Sequence, residues 1–171
     1  MKTKVALLVF ISSMAHAVDS LAASSNSASD QNYCKVPYVD TASGKSGTYR
    51  GQCLDGKPNG SGTVTLYNGD KLDGHFEKGA LSGNGTYTAA DGSVYEGNWE
   101  NGRRHGKGTF TWARGSSYVG EWIDDKRHGK GIFTWSNGNR FEGEFRDNKR
   151  YNGTYYTSNG RVYKCHLGQC K

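Results

Sequence analysis

The sequence has no apolar run long enough to cross a membrane as a helix. Its longest, Val5 to Ile11, falls far short of the roughly 20 residues a span requires, and no later stretch approaches that length. Metal-binding spacing is also missing: there is no H-x-x-H and no C-x-x-C, whereas zinc needs several ligands about 2 Å from one ion. Gly44-Lys45-Ser46 has the ending of a phosphate loop, but Val39 stands where the first glycine should be and no strand-to-helix context follows. No metal or other cofactor is therefore expected. A dominant charge of one sign is lacking as well, with 22 basic against 16 acidic residues.

The amino terminus carries Lys2 and Lys4, then the apolar run, then Ala15-His16-Ala17. Together these read as a signal peptide over 1–17 with an A-x-A cleavage site; Ala22 and Ala23 mark an alternative cut. Its shortness points to a bacterial exporter and a periplasmic or extracellular address. The sequons beginning at Asn59, Asn84 and Asn152 are accordingly expected to stay unglycosylated. Cleavage leaves 20 basic residues against 16 acidic ones, a mild balance that does not imply nucleic acid. Residues 18–32, rich in Ser, Ala, Asn and Asp, have little to bury and are expected to form a disordered leader. An N-terminal cap is expected over 33–48 and a repeat array with a C-terminal cap over 49–171.

Four cysteines remain, an even number that favours two disulfides in an exported chain. Of the three possible pairings, Cys34–Cys53 and Cys165–Cys170 are favoured, since each pair is close in sequence at one end of the array.

What the chain has in abundance is regularity. A register residue recurs as Tyr49, Leu72, Tyr95, Tyr118, Phe141 and Tyr163, 23 residues apart four times and 22 apart once. Two positions on stand Gly51, Gly74, Gly97, Gly120 and Gly143, and two further on Cys53, Phe76, Trp99, Trp122 and Phe145. In Tyr95-Glu96-Gly97-Asn98-Trp99 one face is aromatic and the other polar, the period of a half-buried strand. Gly108, Phe110 and Trp112 repeat the pattern on the return segment. Asn68-Gly69, Asp91-Gly92, Arg114-Gly115, Asn137-Gly138 and Asn159-Gly160 read as two-residue hairpin turns. A second, longer set is expected at Asp55-Gly56, Lys78-Gly79, Asn101-Gly102, Asp124-Asp125 and Asp147-Asn148. The fold class is thus all-β: an elongated, single-layer antiparallel meander of tandem hairpins of about 23 residues.

The repeated glycine offers a seat where an aromatic ring of a neighbouring copy can cover bare backbone. Burying such a ring contributes roughly 1.5 to 3 kcal/mol against about 1 to 2 kcal/mol of backbone entropy per ordered residue. Copies must therefore lean on one another. Cys53 replaces the second aromatic and Cys165 the seat glycine, so the disulfides are expected to cap the two ends.

The pattern Y-x-G-x-W-x-x-G-x-x-H-G-x-G, closest at Tyr95 to Gly108 and Tyr118 to Gly131, resembles the MORN repeat, and the likeness extends from Tyr49 to about Leu167. The second of these copies carries Asp125 at the glycine turn position. The resemblance implies a twisted β-sheet in a family used for binding, scaffolding or membrane contact. MORN repeats also accompany phosphatidylinositol phosphate kinases and some methyltransferases, but the array leaves too few residues for such a catalytic domain.

The conspicuous polar constellation is Arg103, Arg104, His105 and Lys107, echoed by Lys126, Arg127, His128 and Lys130. Copies two strand spacings apart place equivalents about 10 Å from each other. The expectation is a basic edge that meets a protein, an anionic lipid or a glycan; the plain alternative is a row of solvated turn residues that discourages edge pairing. Glu121, Glu142 and Glu144 share the polar face at roughly 7 to 10 Å, a spacing found in inverting glycosidases. A carbohydrate hydrolase is therefore the competing reading. Nothing in the sequence supplies a cleft, and the chain is read as a non-enzymatic binding or scaffold protein. Trp99, Trp112, Trp122 and Trp135 are assigned to the sheet's own apolar face rather than to sugar stacking.

Overall fold

The computed structural model describes residues 33–39 and 43–171. The expected signal peptide over 1–17 and leader over 18–32 lie outside the described residues. These described residues form one antiparallel sheet of 13 strands in sequence order. The strands are β1 (Tyr33–Val39), β2 (Ser46–Leu54), β3 (Lys57–Leu66), β4 (Lys71–Glu77), β5 (Ala80–Thr88), β6 (Val94–Glu100) and β7 (Arg103–Thr111), then β8 (Ser117–Ile123), β9 (Lys126–Thr134), β10 (Arg140–Arg146), β11 (Lys149–Tyr156), β12 (Val162–His166) and β13 (Gln169–Cys170). No helix occurs among the described residues. The tandem-hairpin meander is what the period-two pattern requires.

The two kinds of turn are the reverse of what the dipeptides suggest. Leu54 pairs with Lys57, Glu77 with Ala80, Glu100 with Arg103, Ile123 with Lys126 and Arg146 with Lys149. The tight two-residue turns are therefore the set expected to be longer. Both of their central residues are left-handed, as in Asn101 (φ 50°) and Gly102 (φ 76°), and even Asp124 (φ 47°) and Asp125 (φ 66°). Doubly positive φ is the signature of a type I′ hairpin. At the opposite edge, the Asn-Gly set forms three-residue loops in which only the glycine is left-handed, with Gly69 N–H donating to Leu66 O (3.0 Å) and Gly115 N–H to Trp112 O (2.8 Å). That is a type I turn closed by a glycine bulge.

Pairing aligns the seat glycines into one band running across the sheet. Gly51, Gly62, Gly74, Gly85, Gly97, Gly108, Gly120, Gly131, Gly143 and Gly153 are successive partners from β2 to β11. Cys34 pairs with Gly51 at one end and Cys165 with Gly153 at the other. The disulfides Cys34–Cys53 and Cys165–Cys170 close those ends, with the pairing read from the sequence.

The glycines are needed because a tyrosine ring lies on them. A Cβ at Gly108 would come within 2.5 Å of Tyr95 Cζ, and one at Gly131 within 2.6 Å of Tyr118 Cζ. The tyrosine ring therefore covers glycines of its own hairpin, while the cover expected from a neighbouring copy comes from the second aromatic, Trp99 Cδ1 standing 3.2 Å from where a Cβ on Gly85 would lie. Each hydroxyl reaches past the band to a backbone carbonyl: Tyr49 to Gln52 O (2.7 Å), Tyr95 to Asn98 O (3.0 Å) and Tyr118 to Glu121 O (3.0 Å). Contact between copies falls to the second aromatic. Trp99 Nε1 donates to Gly85 O (3.1 Å) and Trp122 Nε1 to Gly108 O (3.3 Å), each in the preceding copy. The Trp122 ring meets Tyr95 edge-on at 5.3 Å, and Phe145 meets Tyr118 at 4.9 Å. In this way Tyr95 and Tyr118 become fully buried in a single sheet.

Two hydrogen-bond ladders fasten the edges. On the tight-turn edge, Gly79 donates to Pro58 O, Gly102 to Leu81 O, Asp125 to Arg104 O and Asn148 to Arg127 O, at 2.9 to 3.1 Å. On the loop edge, side-chain oxygens of Asp70, Ser93, Ser116 and Asn139 accept from the N–H groups of Ala90, Ala113, Ser136 and Ser158. The 22-residue spacing before Tyr163 also has a cause. Three residues separate Arg104 from Gly108 at the β7 bulge, but only two separate Arg150 from Gly153 in β11.

Candidate functional site

The eight basic-edge positions singled out in the sequence divide between the two faces. Arg104 and Arg127 turn onto the aromatic face. Arg104 Nε binds Asp125 Oδ1 at 2.8 Å and its guanidinium lies 4.5 Å from the Trp122 ring centre. Arg127 donates Nη2 to Asn148 O (3.0 Å) and lies 5.2 Å from the Phe133 ring centre. Arg150 repeats the placement over Trp135 and Phe141. Each guanidinium roofs the ring column and joins two copies, a use suited to a planar, weakly hydrated cation.

Arg103, His105, Lys107, Lys126, His128 and Lys130 lie on the opposite, polar face. There they are interleaved with acids. Lys107 is the register partner of Glu121 and Lys130 of Glu144. Arg103 lies 3.7 Å from Asp124, Lys126 lies 3.2 Å from Asp147, and His105 Nδ1 lies 3.3 Å from Glu100 Oε2. Amid these rows, Val119 (51 % exposed) and Ile132 (38 %) are paired neighbours, and Ile123 is exposed nearby. The face is a charge-balanced lattice with an aliphatic patch.

Of the three carboxylates raised for hydrolysis, Glu121 and Glu142 have structural partners. Glu121 Oε1 accepts from Lys130 N–H (3.2 Å) and its side chain fills the space beside Gly129, stapling the β9 bulge. Gln52 does the same for Ser61 N–H (2.8 Å) in the first hairpin. Glu142 is 3.2 Å from Arg140. Glu142 and Glu144 border a shallow open depression with Lys130 and Ile132.

A further cluster on the aromatic face escaped the sequence reading. Asp70, only 5 % exposed, accepts from Lys45 Nζ (2.9 Å), Tyr87 Oη (2.7 Å), Asn68 Nδ2 (2.8 Å) and Ala90 N–H (3.0 Å). Burial alone would raise its carboxyl pKa. The hydrogen bonds from Lys45, Ala90, Tyr87 and Asn68 outweigh burial and hold it well below the usual range. The same bond to Asp70 raises Lys45. Beside this cluster opens a hollow of 420 Å³. The available signal was that Asp70 is the one carboxylate in the loop-edge column it shares with Ser93, Ser116 and Asn139.

Among known proteins, the family model described as MORN repeat matches residues 49–71, 73–94, 95–117, 118–140 and 141–150. No curated protein matches the chain. The last match stops at Arg150, where the shortened β11 bulge departs from the pattern.

Proposed function

Because the chain belongs to the MORN-repeat family, with matches over more than half its length, we propose that it is an exported, non-catalytic binding or scaffold protein whose polar face docks on another protein. The observation that carries this reading is the patch around Val119 and Ile132, framed by the alternating Lys107, Glu121, Lys130 and Glu144. Exposed aliphatic side chains inside a lattice of both charge signs suit a protein surface, where apolar contact and charge matching act together. A polyanion such as an anionic membrane or an acidic glycan would favour cations without interleaved acids. Withdrawal of Arg104 and Arg127 to the other face further lowers the net positive charge available there.

Two disulfides suit an oxidising compartment. The signal-peptide pattern ending in Ala15-His16-Ala17 supports a periplasmic or extracellular site. The test is to immobilise the full mature chain and compare it with Val119→Asp and Ile132→Asp, both at exposed positions. The expected result is an envelope protein retained by the wild type, lost from both variants, and able to bind the wild type again when purified. Retention unaffected by either change would refute the docking face. Binding to phosphatidylglycerol vesicles abolished by reversing Arg103 and Lys126 would establish the anionic-lipid reading instead.

A further inference from the structure

The hollow beside Asp70 exists because the second copy departs from the columns that fill the rest of the aromatic face. Where the third and fourth copies have Tyr95 and Tyr118, it has Leu72. Where they have Arg104 and Arg127 it has Leu81, and where they have Trp112 and Trp135 it has Ala89. Leu81 partly replaces the missing ring, its methyl carbons standing 3.0 Å from where Cβ atoms on Gly74 and Gly85 would lie. Among the described residues, no guanidinium roofs this copy. The result is a 420 Å³ concavity with Leu66, Leu72, Leu81, Trp99 and Phe110 among its walls, within the roughly 300 to 1,000 Å³ common for small-molecule sites.

Its rim is charged at two places and balanced at both. Lys45 faces Asp70 at 2.9 Å, and Arg104 faces Asp125 at 2.8 Å. A charged ligand would have to separate one of these pairs, whereas an uncharged one need not. The Lys45 ammonium has three protons, of which Asp70 takes one and Tyr87 engages a second, so the third can meet a neutral acceptor without breaking the pair. We propose that this hollow is a binding site for an uncharged, mainly apolar small molecule carrying a hydrogen-bond acceptor at one end. It is separate from the polar face invoked for protein docking and does not depend on that reading.

The probe is the neutral dye 6-propionyl-2-(dimethylamino)naphthalene, whose ketone oxygen is an acceptor at one end, titrated into the full mature protein and compared with the anionic 8-anilinonaphthalene-1-sulfonate. Saturable one-to-one emission enhancement is expected, with the neutral dye bound at least about tenfold more tightly. Leu66→Trp places in this wall the ring that later copies carry at Trp112 and Trp135, and Leu72→Phe adds a ring at the register position. Each is expected to weaken the neutral dye by about tenfold or more while the thermal midpoint stays level or rises, as filling a void predicts. Absence of saturable binding, binding unchanged in a folded filled variant, or preference for the sulfonate would overturn the proposal.

Discussion

Gly108→Ala is the sharpest probe of how a single sheet buries its aromatics. Gly108 does not need a left-handed backbone, so the substitution tests the seat alone. The new methyl would lie 2.5 Å from Tyr95 Cζ and 2.6 Å from Cε2, inside any tolerable contact. Either the strands part, at an overpacking cost of about 1 to 3 kcal/mol, or the ring lifts. Lifting would return about half of a buried tyrosine's roughly 200 Å² to water, about 2 to 3 kcal/mol. It would also break the bond to Asn98 O, a further 1 kcal/mol or so. Reduced unfolded-state freedom offsets at most about 1 kcal/mol. A net loss near 2 to 3 kcal/mol is expected from urea denaturation followed by tryptophan emission. In a Tyr95→Leu background the same change should cost under about 1 kcal/mol, since the clashing ring is gone. Gly92→Ala, where a Cβ meets nothing but φ is 88°, should cost only the left-handed penalty of about 1 to 2 kcal/mol in either background. A Gly108→Ala cost that persists unchanged without the Tyr95 ring would refute the seat.

Asp70→Asn should destabilise the protein by about 2 to 3 kcal/mol near neutral pH, by weakening charge-assisted hydrogen bonds around a buried carboxylate. Because the folded carboxyl lies below its ordinary 3.8, its contribution is present above that value and lost as pH falls through the folded pKa; wild-type and variant urea midpoints should converge on acidification. Tyr95 and Tyr118 are pushed up to about 12 by burial, with Arg104 and Arg127 respectively pulling the other way. The folded state holds these protons more tightly, so their contribution is intact below 10 and erodes as pH rises towards 12. Phenolate absorbance should show both ionising together with unfolding, while their conversion to phenylalanine should flatten that alkaline loss.

The fold was legible because its signals are redundant. Tyr95, Gly97 and Trp99 repeat at a fixed interval and alternate with polar residues, so period and strand patterning point the same way. Cys53 and Cys165 revealed themselves as exceptions within that pattern, and the observed pairings close both ends. The turns misled because a dipeptide reports tolerance of positive φ, not loop length. Asn68-Gly69 sits in a loop using one left-handed residue, whereas Asp124-Asp125 uses two without a glycine. The basic residues were visible, and alternation back from Gly108 assigns Arg104 to the aromatic face and Arg103 to the polar one, but the partners of Arg104 were not: the two extra residues of the β7 bulge keep that parity while setting Arg104 opposite Trp99 and against Trp122. The hollow could not be read from motifs, since it arises where Leu72, Leu81 and Ala89 fail to continue them.

The most direct measurement compares two internal deletions. Removing 95–117 joins Val94 to Tyr118 and preserves strand parity, the glycine band and both edge ladders. Removing 96–117 leaves one residue too many, which turns subsequent side chains to the wrong face. Folding by interlocked hairpins predicts native-like strand circular dichroism and one cooperative urea transition for the first deletion, with a much weakened or absent transition for the second. Equal stability of the two would contradict the claim that ring-on-glycine register holds this sheet together.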